Sequence, residues 1–269
     1  FGPIIDSEFS DTEYKSGSYL KSSVNNHYWY GGLTKLNYKP TDEISISGGI
    51  DVRYYKGEHY SEVYDLLGGD YAVSTNNENQ LTAAKREGDK IDYHNDGIVK
   101  WAGAFYQVEH NNGVVSTFCN ISGSNSAYKR IDYFKKKDDS QYVSTDWKWI
   151  RGLTIKSGAN FNLDDYNNVF FNMGHISKAP KFSNIYTQSN TLQAYINNEE
   201  VKAIEGGYSF RSSLFSANIN TYYTVWKNKP ANISANIGSI RYSDVVPMNA
   251  LHKGLELDWA YKFNQKLSV

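Results

Sequence analysis

The stretch Ser212–Asn228, "SSLFSANINTYYTVWKN", decides the fold. Every second residue from Ser213 reads Ser213, Phe215, Ala217, Ile219, Thr221, Tyr223 and Val225, a largely apolar set. Between them lie Leu214, Ser216, Asn218, Asn220, Tyr222, Thr224 and Trp226, rich in amides and hydroxyls. A period of two with unlike sides marks a strand whose faces meet different environments. The pattern runs roughly three times the common strand length of about 5–6 residues. At about 3.3 Å per residue it covers near 50 Å.

The same alternation recurs along the chain. "ISISGGIDVRYY" sets Ile44, Ile46, Gly48, Ile50, Val52 and Tyr54 against Ser45, Ser47, Gly49, Asp51 and Arg53. "LTIKSGANFN" sets Leu153, Ile155, Ala159 and Phe161 against Thr154, Lys156, Gly158, Asn160 and Asn162. "IEGGYSFR" and "HKGLELDWAYK" do the same around Tyr208 and Leu257. Helical spacing surfaces only briefly, near Glu62–Leu67. The class is all-β.

Composition narrows the setting. The 28 Lys and Arg balance 29 Asp and Glu, so a nucleic-acid partner is not expected. One cysteine, Cys119, leaves no internal disulfide and no thiolate zinc site, and reads as a small residue on a strand face. No segment approaches the roughly 20 apolar residues of a membrane helix. The mean hydropathy of −0.61 does not exclude a membrane barrel, where only alternate residues meet lipid. The N-terminal "FGPIIDSEFSDTEYKSG" lacks the basic and apolar regions of a signal peptide, so a processed form or an internal piece is expected.

Connections alternate in length. "KPTDE" (39–43), "NNG" (111–113), "LDDYN" (163–167), "RSS" (211–213) and "KFNQK" (262–266) read as tight turns. The links at 57–97, 125–148, 179–199 and 229–248 read as long loops. This rhythm predicts part of an antiparallel up-and-down transmembrane β-barrel, with long strands, short periplasmic turns and long extracellular loops. Nine strands are expected, with a tenth starting at "LSV" (267–269). Ile46, Ile50, Val52, Ile219 and Leu257 are expected to face lipid, and Asp51, Arg53, Asn218 and Glu256 the lumen. Tyr54, Tyr55, Tyr223 and Trp226 are expected in an interfacial girdle. A soluble sandwich or propeller is disfavoured because its buried faces would carry Thr and Gly. Since an open edge in lipid leaves unpaired backbone groups, residues 1–269 read as a partial barrel domain.

Four segments then carry a resemblance. "SKAPKFSNIY" (Ser177, Lys178, Ala179, Pro180, Phe182, Tyr186) resembles the S-R-x-P-x-F-x-x-[LI]-Y segment of TonB-dependent outer-membrane receptors, with Lys178 in the Arg place. Glu200, Glu205, Gly207 and Tyr208 resemble the family's E-x-x-x-x-E-x-G-Y strand, without the Leu-Lys-Pro usual before it. "NTYYTVWKN" is similar to N-x-Y-x-x-x-W-K, and His252, Gly254, Leu255, Glu256, Leu257 and Asp258 to H-x-G-[LIV]-E-[LF]-[DE]. The earlier part looks like Bacteroidetes-type members. The resemblance implies a C-terminal barrel domain of about 22 strands, of which this chain is a fragment, plugged by an N-terminal globular domain that is absent here. It implies contact with outer-membrane lipid, with TonB through a segment missing here, and active uptake of iron chelates, cobalamin or glycans.

No catalytic pattern accompanies these segments. The six histidines form no H-E-x-x-H or H-x-H cluster, and no G-x-S-x-G or Walker segment is present. Asp138-Asp139 and Asp164-Asp165 read as a loop tip and a turn. No enzyme activity, cofactor or metal is expected. A small-molecule or oligosaccharide ligand is expected on the extracellular loops, at His59, Tyr60, Tyr64, Arg130 and Tyr133, where aromatic and polar groups converge. Two alternatives remain open: a passive porin-type barrel, and a soluble all-β ligand-binding module.

Overall fold

In the computed structural model the described residues are 2–80, 82–136, 140–187, 189–237 and 240–263, without the side chains of 232, 235–237 and 240–244. Most of them lie in strands. In chain order the strands are β1 (Ile4–Asp6), β2 (Ser10–Lys15), β3 (Leu20–Tyr38), β4 (Ile44–Asp65), β5 (Ala72–Val73), β6 (Ala84–Lys85) and β7 (Lys90–Asn111). They continue as β8 (Val115–Asp132), β9 (Val143–Ser144), β10 (Lys148–Asn162), β11 (Asn167–Lys178), β12 (Glu199–Arg211), β13 (Phe215–Ile237) and β14 (Ile240–Tyr261). The nine long strands form one antiparallel sheet in the order β3-β4-β7-β8-β10-β11-β12-β13-β14. Each pairs with its sequence neighbour among the long strands, the up-and-down arrangement that the short turns predict.

The turns show why. Each begins with a side chain that accepts from the backbone a few residues on. Ile44 donates its N–H to Thr41 Oγ1 (3.1 Å), and Val115 to Asn112 Oδ1 (2.8 Å). Tyr166 and Asn167 both donate to Asp164 Oδ1 (2.8 Å each), and Phe215 to Ser212 Oγ (3.1 Å). Gly113 adds the left-handed residue of the "NNG" turn, at φ 88°. All four turns close the same end of the sheet, and the long links lie at the other.

Three expectations are corrected. Strand β4 runs on to Asp65 and β7 starts at Lys90, so the 57–97 link shrinks to residues 66–89 and Glu62–Asp65 is strand rather than helix. Strand β8 reaches Asp132, so the 125–148 link shrinks to 133–147. Residues 229–237 and 240–248 are strand rather than loop: β13 and β14 continue pairing past a bulge between Trp226 and Lys229, through Lys229↔Met248 to Ile237↔Ile240. The 179–199 link is as expected. The "LSV" strand and Asp138-Asp139 lie outside the described residues.

Register places the two faces. Row by row, Ile50 lies opposite Ala104, Leu153 opposite Gly123, and Ile219 opposite Leu257. That face carries Tyr30, Leu36, Val52, Phe171, Met173, Ile204 and Leu255, all exposed. Ile50 is 56% and Leu257 63% exposed, while Asp51, on the opposite face, is only 8% exposed. The polar face carries Arg53, Asn120, Asn172, Asn218, Asn220 and Glu256. Tyr54 and Tyr223 sit on the apolar face as expected, but Tyr55 and Trp226 are one residue out of phase and point to the polar face.

Glycines on the polar face seat aromatic rings. A Cβ at Gly207 would fall 2.8 Å from Phe170 Cζ, and one at Gly254 2.6 Å from the Tyr222 hydroxyl oxygen. Each ring therefore lies flat over the neighbouring strand where no side chain stands. Two small cores form where the links fold back onto the sheet. Val63, Leu66, Ala72 and Ile91 pack the 66–89 link against strand ends. Tyr128, Ile185 and Tyr186, with Val99, Ile150 and Phe182, dock the 179–198 segment onto the polar face.

Candidate functional site

The motif 177–186 builds that dock. The Tyr128 hydroxyl donates to the Pro180 carbonyl (2.9 Å), and the Tyr186 hydroxyl donates to the Tyr128 carbonyl (2.7 Å). Ile185 between them is fully buried. Lys178 pairs with Glu199 across the mouth of the link (3.0 Å). Below this dock the polar face holds a cleft of about 600 Å³, lined among others by Asp51, Trp101, Phe105, Ser124, Thr154 and Lys178. Asp51 grips Arg53 through two guanidinium nitrogens, and the Arg53 guanidinium lies 5.1 Å from the Trp101 ring centre. Gly207 and Gly254 seat rings as described, and Glu205, Tyr208 and His252 occupy the wall around them.

Four of the five residues expected on loops stand on strands, and Tyr133 lies at the start of the 133–147 link. His59, Tyr60 and Tyr64 are on β4 and Arg130 is on β8, while Tyr133 follows the end of β8. His59 and Arg130 lie on the polar face. Tyr60 and Tyr133 lie on the opposite face, against His94, whose ring stacks on Tyr133 at 4.4 Å. Tyr64 is exposed at the end of β4. Adjacent residues of an extended strand cannot point the same way, so His59 and Tyr60 part.

Beyond the apolar rows, His94 is the centre of a network that spacing in the sequence does not show. Glu58 accepts from Asn26 Nδ2 (3.2 Å), and it meets Lys90 Nζ (3.3 Å) and His94 Nε2 (3.1 Å). Burial pushes the Glu58 carboxyl up, yet the hydrogen bonds from Asn26, His94 and Lys90 outweigh it and hold the group at about 2. Burial holds His94 below the ordinary imidazole range, opposed by Glu58. Asp96, its side chain 2% exposed, pairs with Lys56 (2.9 Å) and accepts from the Tyr133 hydroxyl (2.7 Å). Burial, together with that bond, pushes the Tyr133 phenol up. Glu58, His94 and Asp96 offer oxygen and nitrogen atoms within 4.8 Å of one another, a donor set suited to a borderline divalent metal. The Lys56 and Lys90 ammoniums already supply the two positive charges such an ion would bring.

On the polar face at the same height, His59 and His27 stand 5.8 Å apart, edge to face. His27 Nδ1 meets the Tyr55 hydroxyl at 2.7 Å. Burial lowers the His59 pKa, and His27 and Arg130 add to it. Burial also lowers that of Arg130, whose Nε–H is buried without a partner.

Fold and faces together define a class: a long-stranded, antiparallel up-and-down barrel wall with one apolar face and one polar face. Among solved structures, the chain is similar to the copper transporter OprC, with a TM-score of 0.67 at 13% identity. The match covers 91% of this chain and 37% of that one, so the chain spans well under half of the OprC length. No family model matches the sequence, and no curated protein matches it.

Proposed function

We propose that this chain is part of the wall of an outer-membrane transporter barrel. In the finer reading, the complete protein is a TonB-dependent receptor that takes up a bulky, scarce ligand such as an iron chelate, cobalamin or a glycan. The observation that carries the coarser reading is the exposed apolar face. Along β14 it runs from Leu251 to Tyr261, interrupted by Lys253. Ten residues at about 3.3 Å, tilted by about 35–45°, give a height near 25 Å, the apolar band of such barrels. A soluble protein would expose no such surface. The short turns then lie in the periplasm, the long links outside, and the polar face lines the lumen, where the 179–198 segment folds inward. The TonB step is supported by the four motif resemblances, and no catalytic step is assigned. The test is uptake in cells carrying the full-length gene, with and without TonB. Loss of transport without TonB is expected; persistence replaces active uptake by a passive porin. Recovery of the protein in the soluble fraction overturns the barrel reading itself.

A further inference from the structure

Along the loop-side border of its apolar band, the apolar face carries a staircase of cations: Lys56 on β4, Lys100 on β7, Arg151 on β10, Lys202 on β12 and Lys253 on β14. Followed across the sheet to β4, Lys100 stands in the row of Tyr54, Arg151 in that of Val52, Lys202 in that of Gly48 and Lys253 in that of Ile46. From Lys56 to Lys253 the line therefore falls ten residues over seven strand steps. At a strand spacing near 4.8 Å and a tilt of about 35–45°, a line level with a membrane steps about 3.4–4.8 Å along each next strand, or about 1–1.5 residues. The five cations thus lie at one height. The turn ends step the same way: the row of Asn162, the last residue of β10, meets β14 at Asp258, before that strand ends at Tyr261.

Charge is sorted about this line. Among the described residues, no apolar-face position of the long strands on its turn side carries Lys, Arg, Asp or Glu. Glu58, Asp96 and Glu200 of that face lie on its loop side. Lys56 is paired with Asp96, but among the described residues Arg151, Lys202 and Lys253 are exposed and make no ion pair. Tyr54 and Trp149 share the row of Lys100, whose Nζ lies 4.5 Å from the Trp147 ring centre, so aromatic rings mark the same height. At this border, between β10 and β13, the apolar face has a groove of about 600 Å³. Ile155, Met173, Ile204 and Tyr223 line it, and His175 and Lys202 stand opposite each other toward its loop side. Lys253 stands directly opposite Tyr223, so the groove lies between two lysines.

We propose that this border is a docking surface for a phosphate-bearing lipid of the outer leaflet, with an acyl chain in the groove and its head group held by Lys202 and Lys253. Lysine stems lie along apolar surface while their ammonium groups reach the head-group layer, where a partner of opposite sign is favoured. The uncharged rows on the turn side continue the surface that the remaining acyl chains cover. The proposal rests on the apolar face meeting lipid, and it does not depend on TonB.

The experiment is native mass spectrometry of purified full-length protein in detergent, titrated with a bisphosphorylated acyl-diglucosamine lipid and, separately, with its dephosphorylated form. The wild type should hold the phosphorylated lipid about tenfold or more tightly than the other, and excess inorganic phosphate should not displace it. K202Q/K253Q should bring the two lipids level. M173W keeps the cations but fills the groove, and should weaken both. K156Q removes the same charge next to Ile155 but on the polar face, and should change nothing. Heat-modified mobility on a gel checks that each variant is folded. An unchanged lipid preference in K202Q/K253Q, its loss in K156Q, or displacement by inorganic phosphate overturns the proposal. A protein that needs detergent yet shows no preference for the phosphorylated lipid loses the docking surface alone. A protein that stays soluble without detergent loses the lipid-facing reading as well.

Discussion

Glu58 shows how one residue ties strand ends together beyond the apolar band. Its carboxylate is 23% exposed and takes donors from Asn26 on β3 and from Lys90 and His94 on β7. A carboxyl held at about 2 against an ordinary 4.5 stabilises the fold above pH 4.5, and that contribution is lost as pH falls through 2. His94, held low by burial, acts in the same direction: its contribution is complete above its ordinary 6.5 and shrinks as the ring is forced to protonate. Protection against hydrogen exchange at the loop-side ends of β4 and β7, taken relative to the intrinsic rate at each pH, should therefore fall in two steps on acidification, and E58Q should remove the lower one. Allowing for solvent screening, the lower step is worth about 1–2 kcal/mol. Flat protection between pH 4.5 and 2 would contradict the network. Part of this was legible from residues alone. Alternation along "GEHY" parts His59 from Tyr60 without any coordinates. The meeting of Glu58 with His94, 36 residues apart, depends on register between strands, which no local pattern carries.

At the scale of the element, the hairpins were the most readable feature, because each tight turn carries its own acceptor: Thr41, Asn112, Asp164, Ser212. The loop-side ends were not. Strand pairing there is continued by bulges and by contacts from distant links, so β4 and β8 outlast their apolar alternation, and Pro230 and Pro247 sit opposite each other in a ribbon that reads as a loop. Two substitutions test what holds the elements. Tyr186→Phe removes one buried donor from the Tyr128 carbonyl and should cost about 1–2 kcal/mol at the dock. Limited proteolysis should then cut residues 179–198 sooner, with the sheet itself unaffected. Gly49→Val acts on the wall instead. Its Cβ would fall onto the Thr34 carbonyl and 2.8 Å from the Phe105 ring, contacts that backbone pairing does not let relax. A sharply lower yield of heat-modifiable, folded protein is expected, and a normal yield would show that the ring can swing away.

The whole molecule is an open sheet of nine long strands whose edges, β3 and β14, do not pair with each other among the described residues. An edge of 22 residues is a row of unpaired backbone groups, which lipid does not satisfy. If the apolar face meets lipid, as proposed, both edges would need partner strands. The two faces differ in side chains as well: one carries an exposed apolar band, and the other carries most of the amides and hydroxyls of the wall together with the Asp51–Arg53 pair. A matched pair of substitutions on neighbouring strands separates this from a soluble sheet. Leu257→Lys and Asn218→Lys introduce the same charge one row apart, on opposite faces. If the apolar face meets lipid, Leu257→Lys should cost about 2–4 kcal/mol near the midplane, and Asn218→Lys should cost little. The measurement is reversible unfolding of the full-length protein in bilayers, with recovery from membrane fractions as a second readout. Equal effects of the two changes in bilayers would remove the lipid-facing assignment. A larger cost for Asn218→Lys would reverse it, placing the polar face outward.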